Sequence, residues 1–304
     1  MKKLILTLAL GLFAFIGSAQ KKGNDYLLFY LGGQSNMVGY GYVKELPDSL
    51  SKKMKDIYIF DGNSVNDGTE TGGGLGIWAP LQPGHGSKFT SDGKKNNYSE
   101  RFGVELSFAY TLKQKYPDKK IAIIKYARGG TSIDSLASND WAGCWEPDMK
   151  GKKGLNQYDY FLNTMQNAMS VKDIDGDGKE DRLIPAGILW MQGEQDATYD
   201  EKVAMGYYGN LKNLMGLLRA SMLSNDLPVV IGKISDSWNS DTGKVWTYGE
   251  LVQYAQEKFA RTDGNAAIVR TTRYYKYSDT WHYDTEGYID FGKQFAFKML
   301  ELMK

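Results

Sequence analysis

Three short polar segments, far apart in the chain, carry side chains suited to nucleophilic catalysis and to holding an oxyanion. Ser35 stands between two amides in Gly32-Gly33-Gln34-Ser35-Asn36. Serine is a weak nucleophile until a base takes its proton, and histidine suits that task near neutral pH. The chain has two histidines, His85 and His282. His282 lies in the run SDTWHYD with Asp279 three residues before it. A carboxylate at that spacing on a loop can fold back onto the imidazole, fix its tautomer and stabilise its charged form. His85 sits in the glycine-rich run QPGHG and is the weaker candidate. In the third segment, WMQGEQD from Trp190 to Asp196, Gln192 can donate to an oxyanion and Glu194 can orient a base. Each segment alone also has a plainer reading: Ser35 as a helix cap, His282 as a solvated loop residue, the third segment as a polar turn.

These segments need elements to bring them together. An apolar run from Leu27 to Leu31 stops at Gly32-Gly33, which reads as a buried strand delivering Ser35 to a sheet edge. Lys119 to Ala127 ends in the same way at Arg128-Gly129-Gly130, and Ile184 to Met191 ends at Gln192. Further strands are expected at Ile57 to Phe60, Leu227 to Ile234 and Ala266 to Arg270. Helical spacing marks the stretch from Val104 to Leu112, and helices are also expected at Leu155 to Val171, Tyr199 to Leu223, Tyr248 to Ala260 and Thr285 to Met303. Strands alternating with helices imply an α/β fold, a three-layer α/β/α sandwich with a mainly parallel central sheet. Open sheets of that kind place their chemistry beyond the carboxyl ends of the strands. Asp61 to Arg101 is expected to be irregular. Its glycine clusters make no nucleotide loop, because Gly72 to Gly76 runs into Trp78-Ala79-Pro80 instead of opening a helix.

With these segments in order, the chain resembles a known family. GGQSNMVG around Ser35, RFGVE at Arg101 to Glu105, GGTSI at Gly129 to Ile133, WMQGEQD and DTWH follow one another as in SGNH-type carbohydrate esterases. They are most similar to the branch holding sialate O-acetylesterases and the acetylxylan esterases of carbohydrate esterase family six. The resemblance implies a flavodoxin-like SGNH hydrolase fold, with Ser35 as nucleophile and His282 as general base and acid. It leaves the orienting carboxylate open between Asp279 and Glu194, with Asp279 favoured. It draws the oxyanion hole from the backbone amide of Ser35, a backbone amide of Gly129-Gly130, and the Gln192 side chain. The implied reaction removes O-acetyl groups from carbohydrate through an acetyl-enzyme, with no cofactor required.

Other features bound the partners and the setting. The first twenty residues, two lysines followed by an apolar run and Gly17-Ser18-Ala19, read as a signal peptide over 1–19, so the esterase domain would be 20–304, exported to the periplasm or beyond. No later stretch is long and apolar enough to span a bilayer. Net charge is +1 without long runs of either sign, which argues against a nucleic-acid partner. Cys144 is the only cysteine, so no internal disulfide can form. Arg128 is a candidate contact for a carboxylated sugar, and Trp281 for a sugar face. Trp141, Trp145, Trp238 and Trp246 also follow strand ends, with packing as their default role. The run DIDGDGKED places Asp173, Asp175, Asp177 and Asp181 at calcium-loop positions without the closing glutamate, a candidate structural calcium site. Two other functions remain open: an esterase of non-carbohydrate esters, and a carbohydrate-binding protein on an inactive esterase scaffold. Oligomeric state is not legible.

Overall fold

A computed structural model describes residues 22–64, 73–149 and 155–303. The expected signal peptide lies outside the described residues.

The first apolar run is the centre of the molecule. It belongs to β1 (Lys22–Gly33), which lies parallel between β4 (Lys120–Ala127) and β5 (Glu180–Met191). Outward from β4 come β2 (Ile57–Asp61) and the edge strand β3 (Trp78–Pro80). Outward from β5 come β6 (Val229–Gly232) and β7 (Ala266–Val269). The seven strands run in the order β7-β6-β5-β1-β4-β2-β3, and among these pairings only that of β3 with β2 is antiparallel. From β1 the chain first builds one half of the sheet and then crosses to build the other. The carboxyl end of β1 is thus a switch point, where such sheets open a crevice.

Successive strand side chains point to opposite faces, and β1 shows why both faces are covered. Phe29 meets Phe108 edge to face at 5.2 Å, on the side of α2 (Glu105–Lys115). Tyr30 meets Phe161 at 4.8 Å, on the side of α3 (Gln157–Ser170). The last helix, here α6 (Thr285–Leu302), packs against α2, and α4 (Glu201–Ser221) packs against α5 (Gly249–Thr262). The expected three-layer α/β/α sandwich is the observed fold.

Two departures from the sequence reading have physical reasons. β5 begins at Glu180 rather than Ile184, because its polar start pairs with the polar start of β1, Lys22 and Asp25, beyond the reach of apolar patterning. β3 was not expected at all. It is three half-buried residues ending in a proline, which a sheet edge tolerates because no ladder donor is needed there. No helix among the described residues is long and apolar enough to cross a membrane.

Candidate active site

The three glycine- or amide-bearing strand ends finish level with one another. Gly33 of β1 lies opposite Ala127 of β4 and Met191 of β5. Gly33 adopts φ +142°, and a β-carbon there would sit 1.9 Å from the Met191 carbonyl oxygen, so only glycine fits. That close approach lets the Gln34 N–H donate to Met191 O at 2.8 Å and turns the chain directly into α1, the single helical turn Ser35–Val38. Ser35 is therefore the first residue of the turn rather than its cap, and it is buried to 8 % exposure. On the neighbouring loop, a β-carbon at Gly129 would lie 3.3 Å from the Ser35 β-carbon, so that loop and the serine are in direct apposition. The backbone N–H groups of Ser35, Gly129 and Gly130 have no hydrogen-bond acceptor among the described residues. They are free to serve an oxyanion.

A buried ion pair holds this corner. Lys125 on β4 spends its ammonium on Glu105 Oε2 at 2.9 Å, on the Val38 carbonyl at the end of α1 at 2.9 Å, and on the His85 carbonyl at 2.6 Å. Glu105 also takes the Gly103 N–H at 2.8 Å. Removing one partner of such a pair would strand a buried charge.

Ser35 and His282 line one cavity of about 650 Å³, together with Gly129, Gly130, Tyr40 and Trp281. His282 arrives on the loop before α6. Its Nδ1 lies 2.8 Å from Asp279 Oδ2, and Asp279 Oδ1 takes the backbone N–H groups of Trp281 and His282 at 2.7 and 2.8 Å. Burial pushes the His282 pKa below its ordinary value, against the opposite pull of the Asp279 hydrogen bond and charge. Burial alone would raise Asp279; the hydrogen bonds from His282 and from the Trp281 N–H outweigh it, and its carboxyl is held below the usual range. The Tyr40 ring stacks on the imidazole.

Glu194 has a different partner. It is buried, and its Oε1 accepts from Asn36 Nδ2 at 2.8 Å, while Oε2 has no partner among the described residues. Burial raises its pKa to about 7. The same Asn36 Nδ2 donates to the Trp281 carbonyl at 3.2 Å, and Asn36 Oδ1 accepts from Tyr288 on α6 at 2.7 Å. The residue after the serine thus ties the Glu194 loop to the His282 loop.

Gln192 needs correction. Both N–H groups of its amide are committed, one to the Thr131 carbonyl at 2.9 Å and one to Asp196 Oδ2 at 2.7 Å, while its Oε1 accepts from Tyr207 at 3.0 Å. It is fully buried and does not line the cavity. No N–H remains for an oxyanion. Gln192 instead anchors Asp196, which accepts from the Ile133 N–H at 2.9 Å and the Asp134 N–H at 3.1 Å and so fixes the loop after Gly129-Gly130. The amide that does line the cavity is Gln34. Its Oε1 takes the Gly193 N–H at 3.2 Å, and its nitrogen has no acceptor among the described residues. Proximity in sequence to Ser35 was the one available signal for Gln34 and Asn36. Asp196 closes the WMQGEQD run, which carried no role for it, and Tyr40 and Lys125 gave no signal.

The other candidates divide. His85 lines the same cavity and is paired with a carboxylate, its Nδ1 3.1 Å from Asp61 Oδ2, but its side chain is fully enclosed. Arg128 lines the cavity, yet its guanidinium donates to the Trp141 carbonyl, which gives it a part in holding that turn. Trp281 stands at the cavity, 51 % exposed. In the acidic loop, Asp173, Asp175 and Asp177 bring one oxygen each within 4.8 Å of one another. Asp181 does not join them, because its oxygens take the Asn24 N–H at 2.8 Å and the Ile174 N–H at 3.0 Å. Asp175 is also engaged by Tyr26 at 2.7 Å and Lys120 at 3.2 Å.

The fold has relatives of known structure. A protein from Arabidopsis thaliana is 21 % identical with TM-score 0.64, covering 92 % of this chain and 99 % of its own. A carbohydrate acetylesterase from Xanthomonas citri is 17 % identical with TM-score 0.61, covering 91 % of this chain and 56 % of its own. NanS is 15 % identical with TM-score 0.56, covering 92 % of this chain and 98 % of its own. At these identities the likeness is one of fold. No curated protein matches the sequence. The family model described as carbohydrate esterase, sialic acid-specific acetylesterase matches residues 25–301, nearly the whole described chain. The chain therefore belongs to the sialic acid-specific acetylesterase family of carbohydrate esterases, which are carboxylic ester hydrolases.

Proposed function

We propose that this protein is an exported serine esterase that removes O-acetyl groups from carbohydrate, on acetylated xylan, sialic acid or a related glycan. The observation that carries the reading is that Ser35 and His282 line one cavity, with His282 Nδ1 held on Asp279 at 2.8 Å.

In this mechanism Ser35 Oγ attacks the acetyl carbonyl carbon while His282 Nε2 takes the hydroxyl proton. Asp279 fixes the tautomer and stabilises the resulting imidazolium. The carbonyl oxygen gains the negative charge and is met by the N–H groups of Ser35 and the Gly129-Gly130 loop. Gln34, in place of Gln192, supplies the side-chain N–H. The tetrahedral adduct collapses as His282 returns its proton to the departing sugar oxygen, leaving acetyl-Ser35 and a sugar alcohol. Water, deprotonated by His282, then attacks the acetyl group. Acetate leaves and Ser35 regains its proton. Glu194 acts at one remove, through Asn36 and the Trp281 carbonyl, as a positioning residue. None of these steps calls on a metal, and calcium at Asp173, Asp175 and Asp177 would be structural.

The test is acetate release by the purified protein from acetylated xylan, acetylated sialic acid and p-nitrophenyl acetate, with Ser35→Ala alongside. Release from a glycan that disappears in the variant is the expected result. Undiminished release by folded Ser35→Ala removes Ser35 from the site, and release from p-nitrophenyl acetate alone removes carbohydrate as the substrate.

A further inference from the structure

Trp141 is 62 % exposed, yet it is held in place with unusual care. Its turn is clamped at two points. Asn139 Nδ2 donates to the Gly130 carbonyl at 2.9 Å while Asn139 Oδ1 takes the Ala142 N–H at 2.9 Å, and the Arg128 guanidinium donates to the Trp141 carbonyl. The indole itself lies on Gly130. That residue adopts φ +73°, and a β-carbon on it would stand 2.4 Å from the Trp141 ring. Through Gly130 and Gly129 the indole is built onto the loop that faces Ser35. An exposed indole costs solvation, and a fixed one also forgoes side-chain freedom. Both costs point to a ligand.

The cavity says which kind. Trp141 lines it together with Trp281, 51 % exposed, and the buried Trp246. Other parts of the wall are polar, with Asp61, Asn63 and Ser87. Flat apolar faces joined to hydroxyl-binding groups match a pyranose ring, which has an apolar face and a polar rim. A cavity of about 650 Å³ takes a ligand of drug size, and one acetylated monosaccharide is smaller than that. Trp281 adjoins His282, where the acetylated sugar departs. Trp141 is attached to a different loop, the one after β4.

We propose that Trp141 is the platform for a second sugar ring, so that the preferred substrate is an acetylated oligosaccharide or polysaccharide rather than a free acetylated monosaccharide. This rests on the carbohydrate esterase reading and narrows it. The second ring stacks on the indole and gives binding energy that a monosaccharide cannot use. The preference therefore appears mainly in KM.

The experiment has two arms. In the first, kcat and KM are measured on acetylated methyl xyloside against acetylated xylotriose, and on acetylated methyl sialoside against acetylated sialyllactose, for wild type, Trp141→Ala and Trp141→Phe. Trp141→Ala should lower kcat/KM on the longer member of the hydrolysed pair about tenfold more than on the shorter one, chiefly through KM, and Trp141→Phe should recover part of the loss. Equal losses on both members overturn the proposal. In the second arm, binding of unacetylated xylotriose and sialyllactose to Ser35→Ala, with and without Trp141→Ala, is measured by calorimetry. Binding of either sugar that weakens about tenfold on loss of the indole supports the platform even if wild type releases no acetate, in which case only the esterase reading falls. Binding indifferent to Trp141, or no binding of either sugar, overturns the platform whatever the activity.

Discussion

The Tyr40 ring lies flat on the His282 imidazole, with centroids 3.6 Å apart and planes within 4°. Tyr40 follows α1 in the chain, so the turn that presents the serine also supports the histidine. The Tyr40 carbonyl is in turn held by Arg101, whose guanidinium lies 3.4 Å above the Tyr42 ring. Tyr40→Ala is expected to lower kcat about tenfold by releasing the imidazole from its plane, whereas Tyr40→Phe keeps the stack and most of the rate. Steady-state kinetics of the two variants on p-nitrophenyl acetate check this, and equal losses would mean that the hydroxyl and not the stack matters.

His282 is the proton acceptor only when neutral, and burial holds its pKa below the ordinary histidine value. Activity should therefore rise with pH as His282 loses its proton, with a midpoint below about 6.5. Asp279→Asn removes the hydrogen bond and the charge that oppose the shift. It should move the midpoint lower still, and it should cut the plateau by about a hundredfold or more because the tautomer is no longer fixed. A pH–rate profile with its midpoint above the ordinary histidine value would contradict the assignment.

Glu194 is raised from 4.5 to about 7 by burial. The folded protein therefore binds more protons there than the unfolded chain, and its contribution to stability is complete below the unfolded pKa and lost as pH rises through about 7. Glu194→Gln keeps an acceptor for Asn36 and removes this dependence. Thermal melts should show the variant gaining on wild type as pH rises from 5 to 8, on the order of a few degrees at the upper end. Asp196, raised to about 6 by burial, retains a dependence of the same sign in both proteins. A wild type that gains stability over that range relative to the variant would be incompatible with a buried, raised Glu194.

Gln34 and Gln192 should separate by readout. Gln34→Ala is expected to lower kcat about a hundredfold, as loss of an oxyanion donor does, with a loss of melting temperature limited to the one acceptor it withdraws from the Gly193 N–H. Gln192→Ala should act first on stability, because it leaves the buried Thr131 carbonyl unmatched and takes one hydrogen bond from the buried Asp196. Combined activity and melting measurements test the pair. A folded Gln192→Ala of unchanged stability that has lost only kcat would restore Gln192 to the oxyanion hole.

At the acidic loop, millimolar calcium should raise the melting temperature of wild type and leave that of Asp177→Asn unmoved. An unshifted wild type removes the metal site.

Apolar patterning and glycine punctuation were enough to place the six parallel strands and the five long helices of the sandwich, though not the edge strand β3, because burial on both faces of a parallel sheet writes itself into the chain as continuous apolar runs. The same punctuation marked Ser35, and a local spacing marked Asp279 beside His282. These are short-range relationships, which a linear sequence carries. The destination of Gln192 was different. Whether its amide faces the cavity or turns inward depends on Thr131, Asp196 and Tyr207, which lie on other elements, and only their packing decided it. The same holds for Tyr40 on His282, for Lys125 beneath α1, and for Asp181 taken up by the Asn24 N–H. Each is a contact between segments distant in the chain, set by how strand ends align across the sheet. Sequence by itself determined which side chains could do chemistry, and the tertiary structure decided which of them have hydrogen-bonding groups left to do it with.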